Sequence, residues 1–289
     1  MTMLSYDFMQ RALIAAIVVG LTAPLIGVFL VQRRLALLGD GMGHVALTGV
    51  GLAFLVGTTP LPTALVVATA GAILLEVIRL RSRTAGDVAL ALVFYGGIAG
   101  GVLLTSLSGS RGSSALNQYL FGSLSTISMG DLIALLVAAA IVLVILGLLG
   151  RQLFVLSLDP DLAHVQGLKT TRLSMLLTVL ASITVVLGMR TVGLLLISAI
   201  MIVPIAAAQQ LTGAFRSTAI AGIAIGIASC ALGLGASFSA DVPPGPTIVL
   251  LALACFAACA LAGRLVPRRG RREPAQAGDA THGMEGGAE

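Results

Sequence analysis

The sequence predicts an all-α fold, a polytopic helical bundle that spans a membrane. Hydrophobic residues make up 57% of the 289 residues and charged residues only 10%, against about a quarter in a soluble domain. Apolar segments long enough to cross about 30 Å of hydrocarbon, at about 1.5 Å per residue, recur along the chain. Basic residues collect in alternate connections between these segments. Together these observations predict a multi-pass membrane protein.

Nine segments have the length and composition of a span, and a miscounted short segment would make the total eight or ten. The segments are 12–32, 35–57, 61–80, 87–107, 131–150, 173–189, 191–209, 217–237 and 246–264. Residues 1–10 carry no basic n-region and the first segment reaches a full span length, so we expect a membrane anchor and not a cleaved signal peptide. One transmembrane domain covers 1–267. The polar residues 268–289 predict a disordered cytoplasmic tail, whose basic start suits anionic membrane lipid.

The basic residues predict the orientation. With the amino terminus outside, 14 of the 17 lysines and arginines lie on the cytoplasmic side and three outside, as the positive-inside rule requires of a cytoplasmic-membrane protein. The inner group is Arg33, Arg34, Arg79, Arg81, Arg83, Arg151, Lys169, Arg172, Arg216, Arg264, Arg268, Arg269, Arg271 and Arg272, and the outer group is Arg11, Arg111 and Arg190. The basic excess therefore indicates topology, and no nucleic-acid partner is expected.

Two connections are more than simple turns. The outer one, 106–128, begins like a linker and becomes amphipathic, which predicts a short helix at the external mouth. The inner one predicts a two-turn helix over 160–166: Asp159 can cap it, Asp161 complements its positive end, and Gly167 can close it in a left-handed conformation. This helix is either an interfacial connector or, as we favour, a docking element for a cytoplasmic partner.

Several patterns of enzymes are missing from the sequence. It has no phosphate-binding Gly-x-x-x-x-Gly-Lys-Ser/Thr motif, and its only lysine is Lys169. The three cysteines fall within or beside predicted spans and form no disulfide framework or Cys-x-x-Cys pair. We therefore expect a protein that is not an enzyme and holds no permanent cofactor. If ATP drives it, a separate polypeptide must hydrolyse the ATP.

Few charged side chains lie away from the ends of the predicted spans: Asp40 and His44 in the second span and Glu76 near the inner end of the third. A mid-membrane carboxylate costs about 2.5–3.5 kcal/mol on insertion scales, so such residues usually face a cavity and act on an ion or proton. Glu76 can snorkel or pair with Arg79 one turn away. Asp40 and His44 share a helix face, where a carboxylate oxygen and an imidazole nitrogen can converge on one divalent ion. Alternatively, they hydrogen-bond only to each other.

Small residues and one proline indicate how the helices pack. Gly39 and Gly43 are four residues apart, like Asp40 and His44, and leave a neighbouring face bare. Close helix packing is also predicted for the glycines Gly96, Gly97, Gly100, Gly101, Gly222 and Gly226. Pro204 lies in the middle of the seventh span and cannot donate a backbone hydrogen bond, so it predicts a kink in a pore helix or an ordinary kink without function.

The run "DFMQRALIAAIVVGLTAPLIGVFLVQRRLALLGDGMGHVALTGVGLAF" resembles the membrane permeases of zinc, manganese and iron ABC importers, the ABC-3 family. "QYLFGSLSTIS", "DPDLAHVQGL" and "TVGLLLISAIMIVPIAAA" extend the resemblance over 7–265. The resemblance implies a type II importer permease: a homodimer with two cytoplasmic ATPase subunits and an external metal-binding protein. It also implies that Asp40 and His44 contact the transported metal. The 160–166 helix would contact the ATPase, and there we assign coupling to the positions Asp159, Asp161, Ala163 and Gly167.

The chain departs from the family pattern at two places. Gly41, Met42 and Gly43 stand where members often have Ala-Ile-Ser, and Thr48 stands where they often have proline. The metal preference is therefore open, and we expect zinc first and manganese second. A siderophore or cobalamin permease of similar architecture, with a wide cavity and no paired ligands, is one rival. An ion-coupled secondary metal carrier that works alone is another.

The predicted topology can be tested by labelling single cysteines in a background without Cys230, Cys255 and Cys259. Ser110→Cys and Ser239→Cys should react with a membrane-impermeant reagent from outside, and Thr170→Cys only from inside, because the positive-inside rule orients the chain. Reaction of Ser110→Cys from the cytoplasm alone would invert the topology.

Overall fold

A computed structural model describes residues 7–81, 86–109, 118–122 and 127–265, and these ranges contain no strand. Ten helices follow one another along them: α1 Asp7–Gln32, α2 Leu38–Val56, α3 Pro60–Arg81, α4 Gly86–Leu107, α5 Met129–Leu158, α6 Pro160–Val165, α7 Thr170–Val192, α8 Leu194–Leu211, α9 Phe215–Ala240 and α10 Pro244–Leu265. Among the described residues, nine helices are long and apolar enough to cross a membrane. The all-α class and the count of nine spans are thereby confirmed. The predicted tail, 268–289, lies outside the described residues.

The helix ends differ from the predicted spans mainly at α5. We predicted an end at residue 150, and the helix continues to Leu158. Leu153 and Leu156 are buried against the bundle, whereas Arg151 is exposed. Packing therefore extends the helix beyond the last purely apolar turn. At the other end of α5, Ser128 and Asp131 form a capping box, which satisfies backbone amides that the first turn leaves unpaired.

The bundle has a buried centre and a more exposed periphery. The hydrophobic spans of α1, α2 and α7 are mostly buried, whereas a third or less of each of those of α3, α4, α5, α9 and α10 is buried. The helix α2 contacts α3, α4, α7 and α8, and α1 contacts α5, α7, α8 and α9. Exposed leucine and valine side chains on the peripheral helices suit contact with lipid tails, so the exposure there is compatible with stability in a membrane.

Glycines allow the closest approaches between helices. A Cβ atom on Gly97 of α4 would lie 2.7 Å from the backbone nitrogen of Val45 in α2, and one on Gly226 of α9 would lie 2.6 Å from the carbonyl oxygen of Gly20 in α1. Real Cβ atoms do not come so close. Close packing is confirmed at Gly97, Gly100, Gly101, Gly222 and Gly226, whereas a Cβ on Gly96 would meet open space.

A polar cluster at the predicted outer end of the bundle joins a short helix to α5 and α7. Residues 118–121 are helical, which agrees with the helix expected in the outer connection, of which 110–117 and 123–126 lie outside the described residues. Tyr119 in this helix accepts a hydrogen bond from Arg190 Nη1 at 3.1 Å, and Arg190 Nε donates to Asp131 Oδ1 at 3.3 Å. Burial raises the pKa of Tyr119, partly offset by Arg190. The phenol therefore stays protonated at neutral pH.

The close approach of α1 and α9 predicts different effects for two glycines of one helix. Gly226→Ala should lower the free energy of unfolding by about 1–3 kcal/mol, because the new methyl overlaps the backbone of α1. Gly235→Ala is the matched control, since its Cβ would meet no atom within 4 Å; it should stabilise by about 0.5–1 kcal/mol. The measurement is thermal unfolding in detergent. Labelling of the buried thiol of Cys230 by a thiol reagent reports the unfolded fraction, in a protein whose Cys255 and Cys259 are replaced by serine. Equal unfolding temperatures for both variants would contradict the assigned contact.

Candidate functional site

Asp40 and His44 lie on one face of α2, within its first two turns. The distance from Asp40 Oδ1 to His44 Nε2 is 3.9 Å, longer than a hydrogen bond of about 2.7–3.2 Å. The two side chains therefore do not bind each other directly, which argues against the purely structural alternative. Two ligand atoms of one ion, each about 2.0–2.2 Å from it, can lie up to about 4.4 Å apart. The separation of the pair suits an ion placed between them.

The surroundings of the pair combine partial exposure with close packing. The Asp40 side chain is 32% exposed and the His44 side chain 18% exposed, so an ion could reach both. The ring of Phe94 in α4 meets the His44 imidazole edge to face, with centroids 5.1 Å apart. A Cβ on Gly43 would lie 1.8 Å from Leu194 Cδ1, so the leucine side chain of α8 packs directly against this glycine of α2. The imidazole is thus restrained on an α2 helix that is itself tightly packed.

Thr48 gives a physical meaning to one departure from the family pattern. Its hydroxyl donates to the carbonyl oxygen of Gly97 in α4 at 2.9 Å. A proline at this position could not make that bond. The contact joins α2 to α4 one turn beyond His44, close to the tight approach at Gly97. The hydroxyl therefore helps fix the distance between the helices that carry His44 and Phe94.

One chain supplies an incomplete metal site. Over the ranges described, no cluster of three or more His, Cys, Asp or Glu side chains is placed to hold a metal ion. Zinc in proteins usually takes four ligands, and manganese takes more. Within the described part of the chain, Asp40 and His44 would therefore leave the coordination of such an ion incomplete.

The short helix α6 has the capping that we predicted. Asp159 Oδ1 accepts hydrogen bonds from the amides of Asp161 at 2.9 Å and Leu162 at 3.1 Å, and Pro160 occupies the first turn. The helix ends at Val165 with Gln166 as its cap. Gly167 has a φ of 76°, the left-handed conformation expected of it. The predicted helix is therefore confirmed to within one residue.

The two faces of α6 have different surroundings. Ala163 is fully buried, whereas Leu162 is 44% exposed and Val165 is 83% exposed. We had placed Ala163 among the coupling positions, and the structure turns its methyl toward the permease. Ala163 can anchor α6 to the bundle. The surface open to a partner consists of Leu162, Val165 and the exposed polar side chains beside them.

Pro204 is buried within α8, which continues through it to Leu211. Its ring leaves the carbonyl of Ile200 without an amide donor one turn later. Near this proline, a Cβ on Gly27 of α1 would lie 1.7 Å from the carbonyl oxygen of Met201. The part of α8 that contains Pro204 therefore lies directly against α1.

A second buried polar cluster was only partly predicted. Glu76 is 1% exposed and pairs with Arg79 at 2.8 Å, so the predicted pairing is confirmed and the snorkelling alternative is wrong. Ser174 and Thr178 of α7 also donate hydrogen bonds to Glu76. These partners were missed, although their spacing of four residues on an apolar helix could have indicated a shared polar face.

Comparisons with known proteins agree with this architecture. The ABC 3 transport family matches residues 5–262. The manganese transport system membrane protein MntC of Halalkalibacterium halodurans is 33% identical, over 88% of this chain and 87% of its own. The manganese import system permease protein ScaB of Streptococcus gordonii is 31% identical, over 87% of this chain and 90% of its own.

A solved structure gives the same result in three dimensions. PsaBC from Streptococcus pneumoniae, in complex with Fab, contains a chain that superposes with a TM-score of 0.79 at 31% identity, over 89% of this chain and 92% of that one. The sequence-based expectation of a permease subunit without catalytic activity of its own is confirmed by these relatives. With a family match over nearly its whole length, the protein belongs to the ABC 3 transport family.

Proposed function

We propose that this protein is the permease of an ATP-driven manganese importer in the cytoplasmic membrane. The observation that carries the proposal is the open gap of 3.9 Å between Asp40 and His44 on a partly exposed face of α2. Two relatives that match most of the chain are named for manganese, which supports manganese before zinc and reverses the order expected from sequence alone. Carboxylate oxygen is also a ligand type that suits manganese.

A homodimer would complete the coordination of the ion. A twofold axis beside α2 would bring two carboxylates and two imidazoles to one ion, because an isologous interface presents each residue twice. Four such ligands, with water completing the coordination, would hold manganese or zinc weakly enough for release. An external metal-binding protein would deliver the ion, and paired ATPase subunits would dock at α6.

Asp40→Asn and His44→Ala should each reduce manganese uptake to background, because each removes a ligand from every copy of the site. The measurement is uptake of radioactive manganese and zinc into proteoliposomes that contain the permease, its ATPase and its external binding protein. Asp241→Asn is the matched control: this exposed residue has a φ of 52°, which asparagine tolerates, and uptake should remain normal. Wild-type uptake by either ligand variant at equal expression would mean that the pair is structural.

The same vesicles separate the alternatives. Metal uptake by the permease without any ATPase subunit would favour an ion-coupled secondary carrier. Uptake of a metal chelate but not of the free ion would favour a siderophore-type permease. Competition between manganese and zinc in the complete assembly would rank the two metals directly.

The exposed apolar face of α6 predicts where the ATPase docks. Val165→Glu should lower recovery of the ATPase with the purified permease by tenfold or more, because a buried charge without a partner costs roughly several kcal/mol at an interface. Ser217→Glu, an exposed change in the first turn of α9, should leave the complex intact. Co-purification and ATP hydrolysis by the assembly measure both effects. Normal recovery of the ATPase with Val165→Glu would exclude α6 as the docking element.

A further inference from the structure

The Glu76 cluster joins three separate parts of the chain at the predicted cytoplasmic end. Glu76 lies near the end of α3, Ser174 and Thr178 lie in the first half of α7, and Arg33 lies in the turn between α1 and α2. Glu76 and Ser174 are 1% and 3% exposed. These groups are not part of the Asp40–His44 site. The positive-inside rule accounts for the position of the arginines but not for the hydrogen bonds that they make.

The hydrogen bonds run in one direction through Ser174. Arg33 Nη1 donates to Ser174 Oγ at 2.7 Å, and Ser174 Oγ donates in turn to Glu76 Oε1. Arg79 Nη1 and Thr178 Oγ1 donate to Glu76 Oε2 at 2.8 Å and 3.3 Å. Ser174 therefore accepts one bond and donates one, and its hydroxyl is the direct hydrogen-bonded link between the α1–α2 turn and the buried carboxylate.

The cluster lies between α6 and the candidate metal site. On one side, α6 ends at Val165 and α7 begins at Thr170, and the amide of Leu168 donates to the carbonyl of Ala163 at 3.1 Å. Leu168 is therefore held to α6 two residues before α7 begins, and we expect a movement of α6 to displace the start of α7. On the other side, Arg33 precedes α2 by a short turn in which Arg34 adopts a left-handed φ of 59°, and Asp40 lies in the first turn of α2.

The electrostatics make the cluster resist being pulled apart. Burial lowers the pKa of Arg33, and Glu76 acts against that shift. The guanidinium is still charged at neutral pH, so it needs a polar partner wherever it is buried. Separating α7 from the α1–α2 turn would break the hydrogen bond between Arg33 and Ser174. Separating α7 from α3 would remove hydrogen-bond donors from the Glu76 carboxylate. The three segments are thus expected to move together.

We propose that Ser174 is a positioning residue that couples displacement of α6 to the start of α2, and so to Asp40 and His44. Coupling to metal rests on the proposed function. Movement of the α1–α2 turn rests only on docking of the ATPase at α6, and it can be measured without metal. Ser174→Ala removes the hydroxyl between Arg33 and Glu76 and leaves the Glu76–Arg79 pair intact. Ser182→Ala is the matched control, since this buried serine of the same helix has no hydrogen-bond partner among the described residues.

The first measurement follows the α1–α2 turn directly. A spin label at Leu37→Cys, a site that is 67% exposed and directly precedes α2, reports movement of this turn in a background without native cysteines. In the permease–ATPase assembly, a non-hydrolysable ATP analogue should change the label's spectrum. Ser174→Ala should abolish most of that change, and Ser182→Ala should keep it.

The second measurement is the affinity of the same assembly for manganese, with and without the ATP analogue. In the unsubstituted protein the two affinities should differ by roughly fivefold or more, as is typical of coupled sites. Ser174→Ala should bring the ratio close to one, with the nucleotide-free affinity and the amount of bound ATPase unchanged. Uptake per ATP hydrolysed should fall with it. Glu76→Gln is a weaker test, because it leaves two arginines near a neutral side chain and can prevent folding.

The outcomes separate this proposal from the proposed function. A full spectral change and an unchanged affinity ratio in Ser174→Ala would overturn the coupling role, as would an equal loss in Ser182→Ala. Loss of the spectral change in Ser174→Ala alone would support it even if the unsubstituted assembly bound no manganese. That last result would overturn the manganese assignment and leave the mechanical link between α6 and α2 in place.

Discussion

The arrangement of the site depends on how closely α2 approaches its neighbours. In lipid, apolar side chains gain little by leaving their surroundings, so helices associate through van der Waals packing and interhelical hydrogen bonds. Gly43 lets α2 contact Leu194, and Gly97 lets α4 contact the backbone of His44 and Val45. A side chain at Gly97 would collide with the backbone of α2, and one at Gly43 would displace the Leu194 side chain. Because Gly43 and Gly97 have no side chains, α2 packs closely against α8 and α4. This packing sets the direction in which Asp40 and His44 face.

Polar groups occur in this bundle where they can be shared between elements. The outer cluster of Tyr119, Asp131 and Arg190 joins the short outer helix to α5 and α7, and the inner cluster around Glu76 joins α3 to α7 and the α1–α2 turn. Both clusters include α7, which lies at the buried centre. Between them, Asp40 and His44 lack a direct bond to each other. The charged side chains of the two clusters are thus paired with one another, whereas a gap separates Asp40 from His44.

The sequence predicted the spans well because membrane insertion depends on length and composition, which are local properties. It placed the end of α5 eight residues early, since contacts of Leu153 and Leu156 with other helices extend the helix and no local pattern shows them. The spacing of Asp40 and His44 predicted that they share a face of α2, but it did not predict the distance between their side chains. The burial of Ala163 could not be predicted, because a helix of two turns is too short to show a hydrophobic periodicity. Ser174 was missed because a serine in an apolar helix can also bond its own backbone.

The length of α5 has a consequence for the membrane around the protein. At about 1.5 Å per residue, its 30 residues extend about 45 Å, roughly 15 Å more than the hydrocarbon layer. The helix must tilt, thicken the bilayer locally or stand partly in the headgroups, each at a modest cost per ångström. Only Asp159 separates α5 from α6, so the tilt of α5 sets the distance of α6 from the membrane surface. The thickness of the surrounding bilayer, and hence the acyl-chain length of its lipids, thereby acts directly on the position of α6.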